Sequence, residues 1–364
     1  MFVSLRDLRH ARGRFALVGT VVLLIAFLVT FLGTLTAGLA RESTSAITDL
    51  PADYLAFSMP APGDAPGFTA SSIDEAQVKQ WSSVPGVESA QPVGVTTTRA
   101  TSPTTTAAVT AFGVLPGSAL VPGADGAGDI PSGGVVLSAP AADALEVGEG
   151  EAVTLGGERL TVTRIVDADD SFAHTPAVWV GLDDWGSLGG RSAPGTATVI
   201  ALSVHGLSAD AIADADATIG TTTLPTSEAR SAVSSFTAEN MSLSIMLAFP
   251  IGISALVVGA FFTVWTISRS GDLAVLRALG ASTAYLLRDS LGQAVVVLVA
   301  GIGVGSALSA VTATALAGVV PVLVDAATVL VPALALLAVG LLGAVAAVVR
   351  VGRVDPHAAL AAGR

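Results

Sequence analysis

Four histidines, His10, His174, His205 and His357, offer the main options for acid–base or metal chemistry. None belongs to a G-x-S-x-G nucleophile elbow or an H-E-x-x-H helix, the spacings that serine or zinc hydrolysis needs. His174 and His205 read as ordinary surface or loop histidines, too far apart in sequence to form a ligand pair by spacing. There is no cysteine, which removes thiol nucleophiles, disulfides and iron–sulfur ligation. The single lysine, Lys79, leaves no G-x-x-x-x-G-K loop for nucleotide phosphates. If the protein works with ATP, another chain must bind it. Gly301-Ile-Gly-Val-Gly305 has the look of a phosphate loop, but it follows a long apolar run. Small residues in such a run let helices approach closely in lipid. The residues therefore point to no catalytic constellation and no metal site, and the chain does not read as an enzyme.

The elements that would position these residues are set by hydropathy. Of 364 residues, 52% are hydrophobic and 13% charged, which suits a membrane protein better than a soluble enzyme. Four uncharged stretches, 15–39, 243–268, 290–324 and 326–349, each meet the ~20 residues needed to cross the hydrocarbon core. The spans are expected at 15–40, 243–268, 290–320 and 326–349, with Pro321 and Asp325 marking a very short loop before the fourth. The first is too long for a signal-peptide apolar region and is expected to be an uncleaved anchor. No ionisable residue lies inside any span, which argues against a proton- or ion-coupled transporter.

Charge sets the orientation. Segments 1–14, 269–289 and 350–364 hold ten basic and four acidic residues, whereas 41–240 holds seven basic and 24 acidic. Both termini and the 269–289 loop are expected in the cytoplasm, and 41–240 outside. No basic face invites nucleic acid. The outside segment is large enough for one or two globular lobes and reads as α+β. A short helix is expected over Ile73–Trp81. Alternation on both sides of Gly156-Gly157 within Val153–Val166 predicts a hairpin. Ala177–Gly181 reads as a strand, Thr96–Thr110 as strand or loop, and Ser227–Asn240 as a helix leading into the second span. The fold expected is thus an α-helical membrane protein with four transmembrane helices and an α+β extracytoplasmic domain inserted between helices 1 and 2.

The loop between spans two and three carries both charge and an apolar stripe. Leu273, Leu276 and Leu279 would share one helix face, with Asp272 as N-cap, Arg277 at the edge and Gly280 as the stop. Such a helix suits either an interfacial anchor or a docking knob for a cytoplasmic protein, and residue physics leaves both open.

Leu273-Ala-Val-Leu-Arg-Ala-Leu-Gly-Ala-Ser282 and the tail Arg350-Val-Gly-Arg-Val-Asp-Pro-His-Ala-Ala-Leu360 resemble the signatures of FtsX-like (MacB-type) ABC-transporter permeases. Val84-Pro-Gly-Val87 and Leu145-Glu-Val-Gly-Glu-Gly150 are similar to that family's ectodomain, with Glu149 where Asp is common. The resemblance implies a homodimer of four-span permeases bound to a dimer of a separate cytoplasmic ATPase of the LolD/MacB-like kind. The helix of Asp272, Leu273, Leu276, Arg277, Leu279 and Gly280 would then couple the two proteins mechanically. ATP would sit on the partner, with no cofactor bound permanently here.

A narrower resemblance rests on Gly38–Ile47, Asp167–His174, Ser235–Met246 and Ala260–Ile267. These are similar to haem-efflux permeases of Gram-positive bacteria, which implies haem as the exported substrate. Glu239, Met241 and Met246, with Phe236 to stack on a flat ring and Glu42 from the first span, would then form its site. Haem iron accepts His, Met, Cys or Tyr ligands. The acidic outside domain would repel haem's propionates, which favours entry from lipid. The alternatives are export of another amphipathic toxin, lipid or peptide, or an FtsX-type scaffold that controls a cell-wall hydrolase.

Overall fold

The computed structural model describes residues 12–123, 129–188, 196–268 and 283–352. The chain forms two compact units, a membrane unit (Met1–Gly38 with Met241–Arg364) and an ectodomain (Leu39–Asn240).

Helix α1 (Arg12–Thr48) is longer than the apolar stretch that predicts it, and its last turns belong to the ectodomain. After β1 (Tyr54–Ser58), α2 (Glu75–Ser82) forms where the sequence predicts a helix. Asp74 and Gln77 close it with a reciprocal capping box, which satisfies two otherwise orphaned backbone donors. The Thr-rich stretch resolves into β2 (Val87–Thr101) and β3 (Thr106–Val114), paired as a hairpin. Next come β4 (Gly134–Ser138), α3 (Ala139–Leu145), β5 (Ala152–Leu155) and β6 (Glu158–Val166). The expected Gly156-Gly157 hairpin joins β5 to β6, with both glycines at positive φ (58° and 101°). Then follow β7 (Ser171–Phe172), β8 (Thr175–Gly181), α4 (Leu182–Leu188), β9 (Val199–Val204), α5 (Ala209–Ile219) and β10 (Thr221–Pro225).

Strand β2 is shared by two lobes. Its first half pairs with β9, which continues to β1 and β10. Its second half pairs with β3, and the path β3–β8–β4–β6–β5 returns to β2 through Ala100↔Leu155, closing a ring of six strands. Closure leaves that ring no free edge to pair with another chain. Its core holds Val109, Leu137, Leu155, Val178 and Trp185. Trp185 lies over Gly94 and Gly113, where any Cβ would collide with its ring. On the other lobe Ile200 and Leu202 pack beneath α2 and α5 with Trp81, whose indole N–H donates to the Thr221 hydroxyl at 3.1 Å. The turn Glu146–Gly150 follows α3, with Glu146 left-handed at its C-cap. Glu149, in the position where Asp is common, accepts the Ile165 N–H at 3.0 Å.

Ser227–Asn240 is not one helix. A 3₁₀ turn covers Ala229–Ala232, and Val233, buried in the core with extended backbone, ends it. Helix α6 (Phe236–Ser268) starts only afterwards. Helices α7 (Thr283–Leu316) and α8 (Ala326–Gly352) complete the chain. Together with α1 they are the four helices among the described residues that are long and apolar enough to cross a membrane. In the membrane unit Val22, Val258, Phe262, Leu298 and Leu336 form a shared core. Gly301 and Gly305 abut α1 at Gly19 and Leu23, while Gly303 faces open space. Gly301 and Gly305 serve close helix packing, as their surroundings in the sequence imply, and Gly303 does not. A Thr30–Ser306 hydroxyl contact of 3.0 Å, buried in the bundle, bridges α1 and α7. Asp325 caps α8 by accepting the Thr328 N–H at 2.6 Å.

Candidate functional site

The segment Asp167–His174 wraps the last turns of α1 within the ectodomain. Ser45 Oγ accepts the Ser171 N–H at 2.9 Å, fixing the segment to the helix. Strands β7 and β8 then close through a two-residue turn, Ala173-His174, with Phe172 opposite Thr175. Both turn residues have positive φ, 48° and 62°. Side chains other than glycine, asparagine and aspartate resist that conformation, at roughly 1–2 kcal/mol per residue. The turn holds because its amides reach the helix. Ala173 N–H donates to the Ser43 carbonyl at 2.9 Å, and His174 N–H to the Glu42 carbonyl at 3.2 Å.

This geometry lifts the His174 ring between two carboxylates. Nε2 lies 2.9 Å from Glu239 Oε2, and Nδ1 lies 3.7 Å from Glu42 Oε2. Glu42 comes from α1 and Glu239 from the first turn of α6. The imidazole is about one-third exposed and the two carboxylates nearly half exposed, so all three are open to a ligand. With its proton on Nε2 the ring donates to Glu239, while Nδ1, 3.7 Å from Glu42, is beyond hydrogen-bond distance.

The sequence-expected site residues divide. Glu42 and Glu239 meet, through His174. Phe236 is 7% exposed and packs into the domain core beside Val233, with the Arg230 guanidinium 5.8 Å from its ring centre. As it stands, it supports the start of α6 from behind and presents no open face. Met241 and Met246 are on α6 in the membrane unit, both well exposed. The coupling residues Asp272, Leu273, Leu276, Arg277, Leu279 and Gly280 lie outside the described residues. His174 was missed as a site residue, since a lone loop histidine has no local signal. The one clue was its place at the end of the Asp167–His174 motif. His205 remains a surface residue, 3.9 Å from Glu88 and largely exposed.

A cavity of about 540 Å³ lies on the other side of the same segment. Its walls include Arg41, Asp49, Leu50, Leu120, Val121, Asp167, Asp169, Asp170 and Trp179. Arg41 pairs with Asp49 at 3.0 Å. Burial, with Asp49 and Asp169 nearby, pushes the Asp170 carboxyl above the usual carboxylate range, against the opposing pull of Arg41. Among the described residues no group of three His, Asp or Glu side chains is arranged to hold a metal ion.

Residues 15–237 match the model of the MacB-like periplasmic core domain, and residues 244–356 that of the FtsX-like permease C-terminal. A putative hemin transport system permease protein HrtB of Staphylococcus epidermidis is 26% identical over 145 residues, 40% of this chain and 41% of that protein. Its counterpart in Staphylococcus haemolyticus is 30% identical over 128 residues, 35% of this chain and 36% of that protein. The chain thus spans about two-fifths of the length of the curated relatives it matches. Among solved structures, the extracellular domain of the noncanonic ABC-type transporter YknZ from Gram-positive bacteria overlaps 45% of this chain and 87% of its own, with 17% identity and a TM-score of 0.32. The periplasmic region of MacB from Actinobacillus actinomycetemcomitans overlaps 50% of this chain and 93% of its own, with 10% identity and a TM-score of 0.36. Neither overlap is close enough to carry a statement about function. The two family matches run through four apolar helices and an α+β domain inserted after the first, and by them the chain belongs to the MacB-like and FtsX-like family of ABC-type permeases.

Proposed function

We propose that this chain is the permease subunit of an ABC-type efflux pump that takes haem from the membrane and is driven by a separate cytoplasmic ATPase. The observation that carries the haem reading is the His174 imidazole, held between Glu42 and Glu239 on an exposed rim of the ectodomain. Imidazole is an ordinary axial ligand of haem iron. Glu239 would hold the ring by accepting from Nε2–H, which leaves Nδ1 to face the metal. The similarity to staphylococcal proteins named as putative hemin transport permeases supports the same cargo. The acidic domain would repel propionates arriving from water, which fits delivery from the lipid side.

The chain's part in the ATP cycle is mechanical. With no phosphate-binding lysine, it transmits motion made elsewhere, and the 269–289 loop is the proposed grip for a LolD/MacB-like ATPase. The functional unit is proposed as a homodimer with both termini in the cytoplasm. The charge asymmetry supports that orientation.

Titration of the purified full-length protein with haem tests the cargo. The expected result is a shifted Soret band that weakens in His174→Ala and in Glu239→Ala, and the absence of a shift in the wild type overturns the haem reading. Met241→Ala and Met246→Ala, titrated in parallel, decide whether either thioether joins the ligand set. Leu276→Asp is expected to abolish stimulated ATPase activity in the reconstituted complex while leaving membrane insertion intact. Full activity in that variant removes the coupling role.

A further inference from the structure

The acidic cavity beside the α1 end is a separate feature that haem export does not use. Its described walls carry four carboxylates, Asp49, Asp167, Asp169 and Asp170, against one guanidinium, Arg41, which is already paired with Asp49. Carboxylates outnumber the guanidinium, and Asp167 and Asp169 are exposed to solvent. Asp170 is the decisive one. It is only 7% exposed, yet it lines the cavity, and among the described residues nothing hydrogen-bonds or ion-pairs with its carboxylate. A buried carboxylate without a partner is costly to keep. Its backbone carbonyl accepts the Ala177 N–H at 2.9 Å.

We propose that this cavity binds an organic cation, seating a primary ammonium or guanidinium group against Asp170. The volume of about 540 Å³ is within the range of small-molecule sites and far exceeds the needs of a bare ion. The carboxylates are spread around the walls, and among the described residues no three are arranged to hold a metal. The remaining wall is apolar, with Leu50, Leu120 and Val121, which suits the alkyl stem behind a charged head. The elevated proton affinity of Asp170 agrees, since burial and neighbouring carboxylates produce it and a bound cation would relieve both. The cation could be a free amine or a basic side chain of another protein, and the chemistry at Asp170 is the same.

Calorimetric titration of the full-length protein in nanodiscs tests the site, with spermidine as the free amine and acetyl-Gly-Arg-Gly-amide as the side-chain probe. Saturable binding of at least one is expected, and which one binds identifies the source. Losing a charge-assisted contact at Asp170→Asn should weaken it by about tenfold or more, while His174→Asn leaves it unchanged. Equal affinity in the wild type and Asp170→Asn, or saturable binding by neither probe, overturns the proposal. Should Asp170→Asn fail to fold, the exposed pair Asp167→Asn and Asp169→Asn is expected to weaken binding by a smaller factor. No weakening there also overturns it. Haem titration of the same samples stays independent, because none of these residues touches His174.

Discussion

Two hairpins in the ectodomain turn in the same way with opposite chemistry. Between β5 and β6 the turn is Gly156-Gly157, and between β7 and β8 it is Ala173-His174, with all four residues at positive φ. Two-residue hairpin loops favour that conformation because its twist matches the strands, and they ordinarily use Gly, Asn or Asp to reach it. The glycine turn can form from local preference alone. The Ala-His turn cannot, and its backbone is held by the Ser43 and Glu42 carbonyls of α1. The difference teaches that the second turn is a tertiary object. Its strain is offset by a helix remote in sequence, and the histidine it presents meets that helix's own glutamate. Backbone strain of this kind concentrates at functional sites.

Substitutions can break or sharpen that contrast. The largest effect is expected from Ala173→Pro, which forbids positive φ and removes the N–H that binds Ser43. A loss of about 3 kcal/mol or more should appear in ectodomain unfolding followed by denaturant titration. Gly156→Ala comes next, at about 2 kcal/mol, because its Cβ adds a collision with the Leu188 carbonyl to the left-handed backbone. Gly157→Ala, with open space around it, should cost only about 1 kcal/mol. His174→Asn is expected to change stability by less than about 1 kcal/mol, since asparagine tolerates the left-handed region. It should nonetheless weaken the haem-induced Soret shift. A stability loss as large as that of Ala173→Pro would mean that the imidazole holds the fold instead of serving a ligand.

The smallest effect concerns pH. Asp170 binds its proton more tightly in the folded state than in the unfolded chain. The folded state therefore holds more protons between the ordinary carboxylate range and the raised native value, and stability falls as pH rises through that window. Asp170→Asn should flatten this slope in ligand-free protein and leave stability at neutral pH no lower than in the wild type. Thermal melts of both proteins across that range would check it.

Much of the architecture was legible. Four uncharged runs fixed the helices because lipid allows no other way to satisfy so many backbone groups. Gly156-Gly157 announced its hairpin because glycine's preference is local. The start of α6 was misplaced because Val233 takes its extended backbone from burial in a core that the sequence does not show. Phe236 read as a free aromatic and proved to be part of that same core. Glu42 and Glu239 were singled out from a resemblance, and nothing in their spacing linked them.

Amino-acid order alone determined the membrane class, the inserted α+β domain, the lack of a nucleotide loop and the close-packing glycines. Each follows from composition or short-range pattern. Tertiary structure alone decided that His174 stands between Glu42 and Glu239, and that Asp170 lines a cavity unpaired. Both depend on one loop folding back onto the end of α1, more than a hundred residues earlier in the chain. Main-chain amides make that contact, donating to the Ser43 and Glu42 carbonyls and to the Ser45 hydroxyl, and only the last depends on which side chain stands there.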